Sequence, residues 1–134
     1  MTFLELKTQV SALLEAKREV SLPSNAVLLV LANDAVLQIA NRYKVIRLMT
    51  QNINSQILRD LGDGYYMRIP QKLTLNDDVI DLDDELTSAV SFRVSAGLAS
   101  ELKNVASFTK SEQRILKDYS FKLYDTSKLY STAQ

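Results

Sequence analysis

Apolar positions along the chain fall into periodic blocks on either side of a stretch that has no helical period. Phe3, Leu6, Val10, Leu13 and Val20 recur at spacings of three, four and seven, with Glu5, Lys7, Glu15, Lys17 and Arg18 lying elsewhere. This pattern predicts an amphipathic helix over about 2–20. "SLPSN" ends it, because Pro23 disfavours helix at Leu22, and Ser24 or Asn25 can cap the next helix. From Ala26 to about Leu48 neither Gly nor Pro intervenes. Leu28, Leu31, Ala35, Ile39 and Tyr43 form a stripe there, broadened by Val27, Leu29, Val36 and Ala40, and it predicts a long second helix over about 25–48. The apolar run 26–32 alone would also suit a buried strand; the uninterrupted length decides for helix.

Between about 50 and 81 the period is lost, and two of the three glycines and one of the two prolines gather among Asn and Asp. "LGDGYYMRIP" predicts a β-hairpin turning at Gly62-Asp63-Gly64, with strands near 53–60 and 65–69, closed by Pro70; "VIDL" is a candidate short third strand. Helical spacing then returns. Leu86, Val90, Val94, Leu98, Leu102 and Val105 form a bulky stripe beside a smaller one of Ala89, Phe92, Ala96, Ala99 and Ala106 next to Gly97. A helix over about 82–107, apolar on so much of its circumference, belongs at the centre of the molecule. Thr109-Lys-Ser-Glu112 has the form of a capping box before Leu116, Tyr119, Leu123 and Tyr130, which predicts a last helix over about 110–130. The fold class expected is mainly α: a four-helix domain with a small β-hairpin inserted between the second and third helices, residues 1–134 forming one domain.

Charge and composition narrow the functions open to such a domain. Lys plus Arg and Asp plus Glu both number 16, so no net field draws the chain to nucleic acid or an anionic membrane. His and Cys are both absent, which removes thiol nucleophiles, disulfides, thiolate metal sites and every triad built on imidazole. The run 26–32 is far shorter than a membrane span, and the first residues lack the basic and apolar regions of a signal peptide. Neither membrane insertion nor secretion is expected. No glycine-rich phosphate loop and no nucleophile elbow occurs. An enzyme would rest on Asp, Glu, Lys, Tyr and Ser, and none is expected.

Two charged zones remain. Asp77, Asp78, Asp81, Asp83, Asp84 and Glu85 invite a Mg²⁺ or Ca²⁺ site, but their spacing does not reproduce a calcium loop and no Gly supplies its turn. They read instead as a helix start, with Asp81 or Asp83 accepting from first-turn amides and Asp84 and Glu85 at the positive end of the dipole. No metal or cofactor is expected. Arg42, Lys44, Arg47, Arg59, Arg68 and Lys72 make a locally basic zone that could meet Asp77, Asp78, Asp83 and Asp84 of a neighbouring copy. On that scheme, changing Arg47, Arg59 and Arg68 weakens assembly and spares the fold. Tyr65 and Tyr66 alternate across a strand, so one faces outward. Tyr119, Lys122, Tyr124, Lys128 and Tyr130 interleave aromatic and basic groups on the last helix, which suits a protein partner better than nucleic acid.

The order of elements, with "LANDAVLQIANRYKVIRL", then "YYMRIP", then "DDVIDLDDELTSAVSFRVSAGLASEL" and a last helix of Lys and Tyr, resembles the small head-to-tail connector (adaptor, or head-completion) proteins of tailed bacteriophages. The likeness extends over about 27–130. It implies a non-enzymatic virion protein, made in the host cytoplasm and placed at the head-tail junction. There it would form a ring of twelve copies under the portal protein, extend the channel through which DNA passes without sequence-specific contacts, and give tail or further ring proteins a platform. The competing expectations are a cellular helical module that binds a partner peptide, and an enzyme using the 77–85 acids with Mg²⁺.

Overall fold

In the computed structural model of the chain, the described residues are 1–19, 21–42, 48–53 and 56–122. They form α1 (Phe3–Ala16), α2 (Asn25–Arg42), β1 (Leu48–Met49), β2 (Ile57–Gly62), β3 (Tyr65–Arg68), α3 (Asp84–Leu98) and α4 (Leu102–Lys122). The fold is mainly α, four helices with an antiparallel hairpin between the second and third, as the hydrophobic pattern predicts.

A capping box opens α1: Thr2 Oγ1 accepts from the Glu5 amide while the Glu5 carboxylate accepts from the Thr2 amide. The Thr2 amide foremost, then the Thr2 side chain, hold the Glu5 carboxyl below its ordinary range. The buried face is Phe3, Leu6, Val10 and Leu14. The helix stops at Ala16, short of the predicted 20, because Arg18 enters the left-handed region at φ 56°. The amide of Glu19 then bonds back to the Leu14 carbonyl and that of Arg18 to Glu15, the Schellman closure of a helix end.

On α2 the buried residues are Leu28, Ala32, Ala35, Val36, Ile39 and Ala40. Of the predicted extent to 48, residues 43–47 lie outside the described residues, and Leu48 already belongs to a strand. That strand adds a third member to the expected hairpin, whose two strands pair with each other as predicted. Leu48 and Met49 pair with Met67 and Tyr66, giving a sheet of order β1-β3-β2. "VIDL" is not a strand of it; Val79 forms only an isolated bridge with Thr2. The hairpin closes through Asp63 and Gly64 at φ 54° and 80°, both positive as a two-residue type I′ turn demands.

Helix α3 packs against α1, α2 and α4 and is the centre of the molecule. It buries Leu86, Ala89, Val90 and Val94 together with Thr87, Ser91 and Ser95. Its predicted extent of 82–107 is too long: Ala99 turns to extended backbone (φ −67°, ψ 137°) and a new helix begins at Leu102. Thr109–Glu112 therefore lies inside α4 and caps nothing. The restart also resets the phase, so α4 buries Asn104, Phe108, Glu112, Leu116 and Tyr119 and leaves Leu102 exposed. Gly97 is exposed, and a Cβ placed on it would touch nothing, so no neighbour within the chain requires its small size. One apolar core joins the four helices with Leu73, Ile80 and Leu82, which come from the strap 69–83 between β3 and α3.

Candidate interaction surface

The strap is held by side chains that the sequence presents as a charged cluster. Asn33 on α2 pins it at Leu73, its amide donating to the Leu73 carbonyl (3.0 Å) and its oxygen accepting from the Leu73 amide (2.7 Å). Asp78 closes the next turn, taking the amides of Thr74 and Leu75 (each 2.7 Å) and the Thr74 hydroxyl (2.9 Å) on one carboxylate oxygen. Those donors hold the Asp78 carboxyl below its usual range. Asp81 is buried, pairs with Arg68 of β3 at 2.8 Å and accepts from the Gln71 amide at 2.8 Å. Lys7 bridges the Asn76 and Asn25 side chains, tying the strap to the starts of α1 and α2.

These bonds correct the expected use of the acids. Asp83 stands at the N-cap of α3 but makes no capping hydrogen bond with its side chain; it accepts instead from the Tyr119 hydroxyl at 2.6 Å. Asp81 serves Arg68 and the strap, not the helix amides. Asp84 and Glu85 do occupy the first turn, where the dipole favours them, and Asp77 and Asp84 are exposed. Among the described residues no three acidic groups are placed to hold a metal ion.

The basic zone is dispersed in the same way. Arg68 is committed to Asp81. The Arg59 guanidinium donates to the Asn41 carbonyl and side chain, where a cation suits the negative end of α2. Arg42 and Lys72 are exposed, whereas Lys44 and Arg47 lie outside the described residues. Tyr65 and Tyr66 are both half-buried, so neither projects freely, and the buried side chain of β3 is Met67. Tyr119, expected on an outward aromatic and basic face, is only 1% exposed and belongs to the core. Lys122 ends α4; Tyr124, Lys128 and Tyr130 fall outside the described residues.

Two polar clusters escaped the sequence reading. Arg93 on α3 pairs with buried Glu112 of α4 and donates to Gln38 of α2, joining three helices. Glu19, just past α1, accepts from the amides of Ser100 (3.0 Å) and Glu101 (3.2 Å), the Ser100 hydroxyl (2.8 Å) and the Asn104 side chain (2.6 Å). The Asn104 amide foremost, then the Ser100 donors, bring the Glu19 carboxyl down to about 2. A signal for both existed in the four-residue spacing of Asn104, Phe108, Glu112 and Leu116, which places two polar groups in an apolar stripe where each must find a partner.

An apolar surface also remains open. A groove of about 690 Å³ runs between α2 and the start of the strap, with Leu29, Val30 and Leu37 on one wall and Ile69, Pro70 and Leu73 on the other. Val30 is 68% exposed and Leu37 41%. This surface can bury another apolar element; it presents no paired acid and base and no nucleophile with its activator. No described helix is long and apolar enough to cross a membrane. Comparison with protein families, curated proteins and solved structures finds no match to the chain.

Proposed function

We propose that the chain is a structural virion protein, a head-to-tail connector that forms a ring under the portal, extends the DNA channel and offers tail proteins a platform. The observation that carries this reading is the order of elements: two helices, a hairpin ending at Ile69-Pro70, an acidic strap and a central α3 backed by α4. This is the order on which the resemblance to phage connectors rests. The chemistry of the described residues supports it as well, since the polar clusters brace the fold and an apolar groove is left open for another element. Ring formation needs a head-to-tail contact between unlike surfaces, and within the two charged zones the exposed Arg42, Lys72, Asp77 and Asp84 can set its register.

Electron microscopy of the native particle tests the proposal. The chain should appear as a symmetric ring beneath the portal, and mixing it with the portal protein should raise its mass in size-exclusion chromatography with light scattering. Particles that lack the chain, together with no association with portal, would sink it. The groove beside α2 favours a second reading, a helical module holding a partner peptide, which predicts that second outcome.

A further inference from the structure

The joint between α3 and α4 is a break that its own residues do not call for. The segment 96–103, "AGLASELK", has no proline, and its Ala, Leu, Glu and Lys are good helix formers. Leu98 and Leu102 continue the stripe of Leu86, Val90 and Val94 at helical spacing. Yet Leu102 is 86% exposed, more than any other large apolar side chain among the described residues, because the break at Ala99 puts it out of phase with α3. A clamp from elsewhere holds the break. The Glu19 carboxylate accepts from the amides of Ser100 and Glu101, the Ser100 hydroxyl and the Asn104 side chain. A continuous helix would give those two amides the carbonyls of Ala96 and Gly97 instead. Only residues 100–104 would have to change amide partners, since Ala99 already bonds to the Ser95 carbonyl and Val105 to that of Glu101.

Straightening within one copy would strip α4 from the core, but two copies can straighten together without that loss. Arg93 meets Glu112, and farther from the joint on both sides Asp83 meets Tyr119, so α4 lies antiparallel along α3. Among the described elements α4 packs extensively on α3 and on no other. Its buried face, Phe108, Glu112, Leu116 and Tyr119, therefore fits one surface, and every copy carries that surface. An α4 handed to a second copy regains these contacts there.

We infer that residues 99–101 are a hinge held closed by Glu19, at which α3 and α4 straighten into one helix so that two copies exchange α4 and pair through it. A three-residue connection between two packed helices is short enough to invite such exchange. In the pair the two joints lie side by side, and Leu98 and Leu102 of one copy meet those of the other. The inference concerns the isolated chain and stands whether or not the protein forms a ring.

A distance within one chain separates this pairing from any other. Asp84 and Lys117 are exposed near the far end of the helix pair, and in a chain without cysteine Asp84→Cys and Lys117→Cys place two nitroxides there alone. In the closed copy they stand beside the Asp83–Tyr119 contact. In one continuous helix they are about 50 Å apart, at a rise of roughly 1.5 Å per residue. Doubly labelled chain is diluted into excess unlabelled chain, separated by size and read by pulsed electron paramagnetic resonance. The one-chain fraction should give the short distance and the two-chain fraction the distance of about 50 Å. The two-chain fraction should grow with concentration, and several-fold more on Glu19→Ala. Adding Leu102→Pro should remove it, because proline suits the first position of a helix that starts at Leu102 and breaks one that runs through. A two-chain fraction with only the short distance would overturn the inference, since the copies would then associate with α4 unexchanged. The long distance in particles of one-chain mass, or its persistence in the Leu102→Pro variant, would overturn it too. Absence of a two-chain fraction from the concentrated parent would do the same, whatever Glu19→Ala does to folding.

Discussion

Arg18 occupies a backbone conformation that costs an L-residue roughly 1–2 kcal/mol, and no glycine is there to relieve it. Its position is fixed by the bonds on either side, which end α1 and swing Glu19 toward α4. Arg18→Gly should therefore stabilise the protein by roughly 0.5–1 kcal/mol, the strain removed less the greater freedom of glycine in the unfolded chain. Urea denaturation at constant slope would show a higher midpoint; an unchanged or lower one would mean that the arginine side chain compensates for its backbone. The same residue explains a missed boundary. Helix ends are legible when Gly or Asn occupies the left-handed position, and an arginine in a run of charged residues gives no such sign. By contrast, the Asp63-Gly64 turn carries its geometry in its residue types and is legible at once.

Helices α3 and α4 show the same limit over longer stretches. "AGLASELK" contains nothing that compels a break, since its one glycine, Gly97, lies before the break and no proline is near. The break is dictated from a distant part of the chain: Glu19 satisfies the amides of Ser100 and Glu101, which a continuous helix would have used internally. A carboxylate at this N-terminus also meets the positive end of the α4 dipole. Such a junction is pH-dependent, and the direction of the shift gives its sign. The folded-state value of about 2 lies below the ordinary 4.5, so the contribution is fully present above about 4.5 and is lost as pH falls toward 2. Glu5 and Asp78 are shifted in the same direction and add to the acid sensitivity. Glu19→Gln should lower stability at neutral pH and flatten, without abolishing, the decline between about pH 4.5 and 2. Urea midpoints measured across that window in both proteins check this, and parallel curves would count against the role given to Glu19.

The whole molecule depends on how its charges divide between holding the fold and remaining available outside it. Sequence distance alone suggests that the basic residues of 42–72 and the acids of 77–85 face different copies, because they sit in different elements. The strap meets α2 at Asn33 and turns at Leu75–Asp78, and Arg68 and Asp81 meet within one copy. Periodicity makes the helices and the central place of α3 legible; a pairing created by the path of the strap has no periodic trace. The consequence is testable. Arg68→Ala removes the guanidinium that faces the buried Asp81 carboxylate. It should cost roughly 2 kcal/mol, less than the 3–5 of a fully buried pair because a quarter of the Arg68 side chain remains in water. Charge reversal at exposed Arg42 or Lys72 should stay within about 0.5 kcal/mol of the parent. On the proposed role as a ring subunit, melting and particle incorporation measured on the same variants separate the two uses of charge. Loss of incorporation by Arg42→Glu and Lys72→Glu at unchanged melting temperature assigns those residues to contacts between subunits. An Arg68→Ala variant that melts like the parent would refute the internal pair and return Arg68 to the docking surface.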